Sequence, residues 1–234
     1  AQVLDEPLPA KSLRGDGAQF SKGEIVLTRL PLSTVVRYDL PARPRMLNWS
    51  RDGSLLACAC YSYAPLVIAS DGYMQEVQIA HGVQATSLCW SPKGHELAIS
   101  MQGEIHFWDT SAQEALPLVV KSNQRALEGL DWSSQGQLAL WVEDQVRIYM
   151  LSSSVLSKPR PPAPQLLSTE AMRCGNAGTL RWSPDGTLLA LGASNGAVVC
   201  WNIAQQTPAW QIAPPGQKVT SLAWSPDGSL LVVA

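Results

Sequence analysis

The sequence has few charged residues and no long apolar run. Asp, Glu, Lys and Arg make up 15% of its 234 residues, below the average of about 25% for soluble domains. The formal net charge of −2 excludes a global attraction to nucleic acid or to an anionic membrane. Nowhere does an apolar run reach the roughly 18 residues that a membrane helix needs, so no membrane span is expected.

The N-terminal segment also lacks the features of a secretion signal. It has neither a basic start nor an apolar centre, and no initiator Met is present. We therefore expect an intracellular, in particular cytoplasmic, chain that is processed or cut from something longer.

Residues that carry chemistry are scarce. The three histidines are scattered at positions 81, 95 and 106, and no G-x-S-x-G elbow occurs. Cys58 and Cys60 share one face of a predicted strand and could hold a metal or act in redox chemistry, but no second pair stands at zinc spacing. The odd number of five cysteines fits a reducing compartment better than a disulfide framework. We expect no metal, no cofactor and no enzymatic activity.

What the sequence does have is an internal repeat. Five Trp-Ser pairs recur at steps of 41, 42, 50 and 42 residues, with Leu two positions before each Trp and Gly four positions after it. These copies define repeats 1 to 5, and their tryptophans are Trp49, Trp90, Trp132, Trp182 and Trp224.

Each copy predicts a small antiparallel sheet. The Asp-Gly of W-S-P-D-G favours a tight turn, and the apolar runs on both sides predict a β-hairpin. A third strand follows, such as "GEIHFWDT", and then a shorter fourth strand, such as "PAWQIA". A four-stranded sheet of this size cannot bury both faces alone, so successive sheets are expected to stack.

The 50-residue step has a local cause. Residues 152–165 are rich in Ser and Pro and are predicted to form an extended loop. A segment of this composition can also be a peptide ligand, and Pro161–Pro164 is its best-flanked P-x-x-P. The linker interpretation is the preferred one.

The W-S-x-x-G turns, the period of about 42 residues and the pair Trp108–Asp109 resemble the WD40 repeat family. The resemblance implies an all-β propeller of four-stranded blades around a central channel. Only one copy keeps the Trp-Asp pair, and the Gly-His pair that usually precedes the first strand is absent. Periodicity predicts structural roles for the five repeat tryptophans and for Trp108 and Trp201 on the third strands, which leaves Trp141 and Trp210 as free candidates for stacking. Charged groups expected along the channel are Arg45, Glu128, Asp131 and Arg181.

The resemblance also organises the chain into blades. We predict an N-terminal extension or linker at 1–22 and a propeller over 23–234, made of four whole blades and two half blades. The half blades either close a five-bladed ring or belong to part of a seven- or eight-bladed one; the second is preferred. The predicted half blades are 23–40 and 219–234, and the predicted whole blades are 45–80, 85–120, 127–168 and 178–213.

One set of predicted loops is basic. The loops that join successive blades are placed at 40–45, 80–84, 121–126, 168–178 and 213–218, with Glu170 as their one opposing charge. The opposite end carries Asp52, Asp71, Asp109, Asp185 and Asp227. The candidate partner-binding residues are therefore Arg43, Arg45, Lys121, Arg125, Arg173 and Lys218.

This pattern leads to three hypotheses for function. The first is a non-catalytic protein-interaction scaffold whose basic loops capture an acidic or phosphorylated peptide. The second is a regulatory propeller of an enzyme whose catalytic residues lie outside this chain. The third is nucleic-acid binding through the basic loops, against which the net charge argues.

Overall fold

A computed structural model of the chain describes residues 23–29, 34–69, 73–79, 84–121, 127, 129–142, 145–160, 162–163, 165–168, 178–212 and 217–234. The predicted extension at 1–22 lies outside the described residues. The fold is all-β, as the repeats predict, and every strand pair in it is antiparallel.

The first described sheet has two strands, β1 and β2, which cover Gly23–Arg29 and Thr34–Leu40. Four sheets of four strands follow, one for each of repeats 1 to 4. In repeat 1, β3 to β6 cover Pro44–Trp49, Leu55–Cys60, Leu66–Ala69 and Met74–Glu76. In repeat 2, β7 to β10 cover Ala85–Trp90, Glu96–Met101, Glu104–Asp109 and Glu114–Lys121.

Repeat 3 is the one with the insertion. Its strands β11 to β14 cover Leu130–Trp132, Gln137–Val142, Gln145–Met150 and Gln165–Ser168. In repeat 4, β15 to β18 cover Thr179–Trp182, Leu188–Gly192, Val198–Asn202 and Thr207–Ile212. A second two-stranded sheet, β19 and β20 at Leu222–Trp224 and Leu231–Val233, begins repeat 5 and is separate from β1 and β2.

The insertion corrects one prediction. Residues 152–165 were expected to form an extended loop, but Ser153–Leu156 is a short helix, α1. Leu156 is 2% exposed and packs in the core beside Phe107 and Leu151. The helical turn forms because it buries this leucine, which the count of Ser and Pro residues does not reveal.

The hydrophobic core lies between neighbouring sheets. Phe107 of repeat 2 contacts Trp132 of repeat 3 with ring centroids 5.7 Å apart, edge to face. Ala139 and Trp141 of repeat 3 likewise share a cluster with Leu180 of repeat 4. Trp141 is fully buried, so the prediction that it is free for stacking is wrong. Trp210 packs against another inter-sheet cluster and is not free either.

The Leu and Trp positions that recur in every repeat are less buried in repeat 1 than in the repeats that follow. Leu88, Leu130, Leu180 and Leu222 are at most 2% exposed, whereas Leu47 of repeat 1 is 48% exposed. Trp90, Trp132 and Trp182 are 6 to 7% exposed, whereas Trp49 is 47% exposed. The sheet that precedes repeat 1 has only two strands in the described part of the chain, and Leu47 and Trp49 remain partly uncovered.

Candidate functional site

The hairpin turns of the repeats gather at one end of the molecule, which we call the turn end. Gly94 of repeat 2 lies beside Asp52 of repeat 1, and Gly228 of repeat 5 lies beside Pro184 of repeat 4. The amide of Gln135 donates to the carbonyl of Asp185 at 3.0 Å. Because strands alternate in direction, the connections between repeats lie at the opposite end, the junction end.

The acidic residues of the turn end are held by their own turns. In repeat 1, the hydroxyl of Ser50 donates to Asp52 Oδ1 at 2.7 Å and the hydroxyl of Ser54 donates to Oδ2 at 2.7 Å. These hydrogen bonds, led by that of Ser50, lower the pKa of Asp52 to about 2. Repeat 5 makes the same contacts around Asp227, and repeat 4 makes them around Asp185. These carboxylates therefore build the turns, and Asp71 lies outside the described residues.

The glycine of this turn has the backbone conformation that the sequence predicts. Gly53, Gly186 and Gly228 have φ angles of 71°, 75° and 71°, a region that residues with a Cβ rarely adopt. The W-S-x-D-G string is therefore a structural element.

A cavity of about 300 Å³ opens among the turns of repeats 1 to 4. Four tryptophans and Asp131 line it, and the guanidinium of Arg51 reaches the carbonyl of Pro184 at 3.5 Å. Asp131 accepts a hydrogen bond from the backbone N–H of Trp182 at 2.8 Å. Burial raises the pKa of Asp131, and the nearby guanidinium of Arg181 opposes that shift. Glu128, its expected acidic neighbour, lies outside the described residues.

Two repeat tryptophans, of which Trp90 lines this cavity, also tie neighbouring repeats. The indole Nε1 of Trp90 donates to the carbonyl of Asn48 at 2.9 Å, and that of Trp224 donates to the carbonyl of Arg181 at 3.2 Å. The indoles of Trp108 and Trp201, on the third strands, have no hydrogen-bond acceptor among the described residues. The expected structural role of these two residues is therefore packing: Trp108 is 3% exposed and Trp201 packs on an inter-sheet cluster.

At the junction end, the structure places four of the six candidate partner-binding residues. Arg43 and Arg45 lie at the start of β3, Lys121 ends β10, and Lys218 precedes β19; all four are exposed. Arg125 and Arg173 lie outside the described residues. The structure thus brings a subset of the predicted basic residues to one end.

An acidic residue that the loop count missed lies at the same end. Glu104 begins β9, and its carboxylate is 3.8 Å from Lys121 Nζ and 3.3 Å from His106 Nε2. Lys121 is therefore paired. Glu104 follows the turn between the second and third strands, and the antiparallel order of the strands places this turn beside the inter-repeat connections.

The strongest feature of the junction end is an Arg–Tyr patch, formed by Arg43, Arg45, Tyr61 and Tyr63 of repeat 1. The backbone N–H of Tyr61 donates to the carbonyl of Arg43 at 3.0 Å, which ties the turn to the start of β3. The guanidinium carbon of Arg45 lies 6.0 Å from the centroid of the Tyr61 ring, within the range of a cation–π contact. Tyr61 is 47% exposed. The hydroxyl of Tyr63 donates to Glu76 at 3.3 Å.

Sequence reasoning found the two arginines of this patch and missed its two tyrosines. Ser62, between them, has a φ angle of 53°, so the Tyr-Ser-Tyr segment forms a tight turn that turns Tyr61 toward Arg45. No repeated motif marks this turn, because repeats 2 to 4 have different sequences there.

The pair Cys58 and Cys60 is buried in the core between β2 and repeat 1, with the two Sγ atoms 3.5 Å apart. In the described residues, no third His, Cys, Asp or Glu side chain joins them to form a metal-binding group. Nor does any helix in the described part of the chain have the length and hydropathy needed to span a bilayer.

Comparison with known proteins identifies the repeats. The family model of the anaphase-promoting complex subunit 4 WD40 domain matches residues 180–234. Two solved structures share the fold at 18% identity. The Cps50 (Swd1) β-propeller domain from Myceliophteria thermophila has a TM-score of 0.68 and matches 83% of this chain and 62% of its own. A chain of the mitotic checkpoint complex has a TM-score of 0.67, matching 100% of this chain and 68% of its own.

The fold is that of a WD40-type β-propeller, and residues 180–234 match a WD40 family model. The four-stranded sheets are accordingly blades of a β-propeller, and the turn-end cavity lies among the inner strands of four blades. Curated relatives are the WD repeat and HMG-box DNA-binding protein 1 of Mus musculus, 28% identical over 185 residues, and of Homo sapiens, 26% identical over 163 residues. The matches cover 74% and 65% of this chain, but only 16% and 14% of those proteins.

Proposed function

We propose that this WD40 chain is a non-catalytic protein-interaction scaffold that captures an acidic peptide on the Arg–Tyr patch. The fold supports a binding role, since propellers present loops on a rigid frame. The observation that carries the proposal is the exposed guanidinium of Arg45 at 6.0 Å from the half-exposed ring of Tyr61. Arginine and tyrosine are the residue types that most often dominate binding energy at protein interfaces.

The chemistry of the patch selects the ligand. Arg43 and Arg45 offer planar, bidentate donors to a carboxylate or phosphate. The ring of Tyr61 offers an apolar surface beside them. A peptide with an acidic residue next to an apolar one satisfies both features.

The proposal is tested with a fluorescently labelled peptide rich in Glu, titrated into the chain at low salt. Arg43→Glu with Arg45→Glu is expected to weaken binding by about tenfold or more, which corresponds to about 1.4 kcal/mol. The matched control is Lys93→Glu, an exposed charge reversal at the turn end. Equal affinity of the patch variant and the wild type contradicts the proposal.

A Tyr61→Ala variant distinguishes a specific contact at the patch from general electrostatic attraction. It keeps every charge and removes the apolar surface, so weaker binding at unchanged salt dependence supports a defined contact at the patch. Nucleic acid is the competing ligand, since the curated relatives are described as DNA-binding proteins. A duplex DNA titration in which the patch variant loses DNA affinity while the acidic peptide never binds favours that alternative.

We also propose an intracellular location. Support comes from the four cysteines that the structure describes, Cys58, Cys60, Cys89 and Cys200, which are buried free thiols.

A further inference from the structure

The cavity among the turns of repeats 1 to 4 has no part in the proposed function, which rests on the Arg–Tyr patch at the junction end. Its volume of about 300 Å³ is at the lower end of the range for small-ligand pockets. Each of four successive repeats contributes one tryptophan to its wall. The chemistry of that wall indicates which ligand it can hold.

The tryptophans offer ring carbon to the cavity and no free N–H donor. Trp90, Trp132 and Trp182 are 6 to 7% exposed, and Trp49 is 47% exposed. The indole N–H of Trp90 is used by the carbonyl of Asn48, at 2.9 Å. The indole N–H groups of Trp132 and Trp182 are buried, with no acceptor among the described residues. The surface that these three rings can present to a ligand is therefore carbon.

Asp131 is the one acidic residue among the described residues that line the cavity. It keeps part of its surface exposed, and it accepts the N–H of Trp182 at 2.8 Å. In the described part of the chain, its carboxylate forms no ion pair with a Lys, Arg or His side chain. Because a carboxylate can accept about four hydrogen bonds, Asp131 retains negative charge with which a cation in the cavity can interact.

Three of the four serines that line the cavity are already engaged. The hydroxyls of Ser91 and Ser183 donate to neighbouring carboxylates, and Ser133 Oγ accepts two backbone N–H groups at 3.2 and 3.0 Å. A primary ammonium group brings three N–H donors that need acceptors, and a buried donor without an acceptor is costly. The cavity therefore suits a cation whose N–H groups are replaced by methyl groups.

Arg51 adds an opposing charge at this cavity. Its guanidinium reaches from repeat 1 to the carbonyl of Pro184 in repeat 4, at 3.5 Å. Arg51 is exposed, so solvent and salt screen its charge. The carboxylate of Asp131 is more buried, and charges in such a position are screened less. Arg51 should therefore weaken the binding of a cation without preventing it.

We propose that the turn-end cavity binds an alkylated ammonium group, with the tryptophan rings against its methyl groups and the carboxylate of Asp131 beside its charge. Aromatic rings attract such cations through the negative charge of their faces, and tryptophan does so most strongly. Choline-type small molecules and methylated lysine side chains both carry this group. The shared chemistry is an ammonium ion without N–H donors to satisfy.

Binding at this cavity is independent of the proposed function. The hairpin turns of the turn end form the cavity, whereas the Arg–Tyr patch lies at the junction end. Arg43→Glu with Arg45→Glu should therefore change the affinity for a small cation by less than about twofold at moderate salt. A failure of the acidic-peptide proposal leaves this one standing.

The probe is tetramethylammonium chloride, titrated into the whole chain at constant ionic strength and followed by the indole N–H signals in ¹H–¹⁵N NMR spectra. Saturable shifts are expected for the cavity tryptophans, while the signal of Trp108, which does not line the cavity, should not move. The control ligand is tert-butanol, a neutral molecule of similar shape, which should bind at least about tenfold more weakly. Choline and a peptide with trimethyllysine are then compared, and the tighter ligand identifies a small molecule or a protein as the source of the group.

Asp131→Asn tests the charge. It keeps an acceptor for the N–H of Trp182 and should weaken tetramethylammonium binding by about tenfold or more. The matched control is Asp109→Asn, outside the cavity, where Oδ1 accepts the backbone N–H groups of Ser111 and Ala112 at 2.8 and 3.0 Å. This control should retain affinity within about twofold. Arg51→Gln, an exposed substitution that remains informative if Asp131→Asn unfolds, should strengthen binding.

Trp49 tests the aromatic contribution. Because Trp49 is 47% exposed, its replacement should disturb the fold less than replacement of a buried tryptophan. Trp49→Leu should weaken tetramethylammonium binding by about threefold or more, and Trp49→Phe, which keeps an aromatic ring, should retain most of the affinity.

Three results would overturn the inference: no saturable binding of tetramethylammonium, equal affinity for tert-butanol, or equal losses in Asp109→Asn and Asp131→Asn. An anion site centred on Arg51 would show the opposite signs. In that case acetate would bind, Arg51→Gln would weaken its binding and Asp131→Asn would strengthen it.

Discussion

The carboxylate of Asp131 in repeat 3 accepts a hydrogen bond from the backbone N–H of Trp182 in repeat 4, across 51 positions of sequence and at 2.8 Å. The bond joins the innermost strands of two neighbouring blades beside the turn-end cavity. The sequence predicts Asp131 only as one of the charged groups along the channel. The structure shows it linking two blades, with its carboxylate oriented toward the backbone of the next repeat.

The first prediction concerns this link. Asp131→Ala should lower the free energy of unfolding by about 1 to 3 kcal/mol, because the N–H of Trp182 is left without its acceptor. Asp131→Asn is the control, since its side-chain oxygen can still accept that bond. Urea unfolding of the wild type and the two variants measures their free energies of unfolding. An equal loss of stability in the Asn and Ala variants would argue against the hydrogen bond.

The same residue predicts a dependence of stability on pH. Burial raises the pKa of Asp131, so the folded protein holds this proton more tightly than the unfolded chain does. The contribution of Asp131 to stability should therefore decline as pH rises from the usual pKa of an Asp side chain to the raised value. Unfolding curves collected across that interval should show this decline in the wild type relative to Asp131→Asn.

The second prediction concerns the turn of repeat 1. The hydroxyl of Ser50 is the largest cause of the low pKa of Asp52, which is about 2. Ser50→Ala should raise that pKa toward the ordinary value of an Asp side chain, near 3.8. Carboxyl ¹³C NMR measures the titration, and Asp227, whose pKa is also about 2, is an internal control that should not move.

These low pKa values also predict the direction in which stability changes with pH. A carboxylate whose folded pKa is depressed stabilises the protein above its unfolded pKa and loses that contribution as pH falls toward the folded value. The turns of repeats 1 and 5 should therefore weaken between about pH 4 and pH 2. Ser50→Ala should reduce the part of this acid sensitivity that comes from Asp52.

The third prediction tests the anchor of the insertion. Leu156→Ala should cost about 2 to 5 kcal/mol of stability, since a buried leucine is truncated in a packed core. Ser157→Ala, one residue later and exposed, should cost less than about 0.5 kcal/mol. Chemical denaturation of both variants provides the comparison, and near-equal midpoints would mean that α1 does not anchor the segment.

The fourth prediction concerns Gly178, just before β15. A Cβ atom there would overlap the backbone carbonyl oxygen of Gly192, which cannot move without disturbing the strand pair. Gly178→Ala should therefore destabilise repeat 4 by about 1 to 3 kcal/mol or more. Gly53→Asn is a suitable control, because a Cβ at that position meets no atom within 4 Å and Asn tolerates the positive φ.

Much of the fold follows from the sequence because its signals are local. The Trp-Ser turns, the glycine four residues later and the alternation of short apolar runs predict the hairpins and the all-β class. The two tyrosines of the Arg–Tyr patch could not be predicted in the same way. Arg45 lies in β3 and Tyr61 lies in the turn that follows β4, so their proximity depends on the turn at Ser62 and on the pairing of β3 with β4.

The partners of charged residues are equally difficult to predict from the sequence. Counting basic residues in predicted loops identified Arg43, Arg45 and Lys121, but it omitted Glu104, which the antiparallel order of the strands brings to within 3.8 Å of Lys121. The carboxylates of the turns were counted as an acidic surface. The structure shows that Asp52, Asp185 and Asp227 accept hydrogen bonds from neighbouring Ser and Thr hydroxyls. Formal charge is a property of the sequence, whereas the partner of each charge is a property of the packing.

The sequence by itself determined the repeat, the turns and the strand order, because each depends on residues a few positions apart. Tertiary structure alone decided that Asp131 joins two blades, that Leu156 anchors the insertion and that Arg45 meets Tyr61. Those relationships arise when sheets stack and strands pair, and residues separated in the chain become neighbours only then.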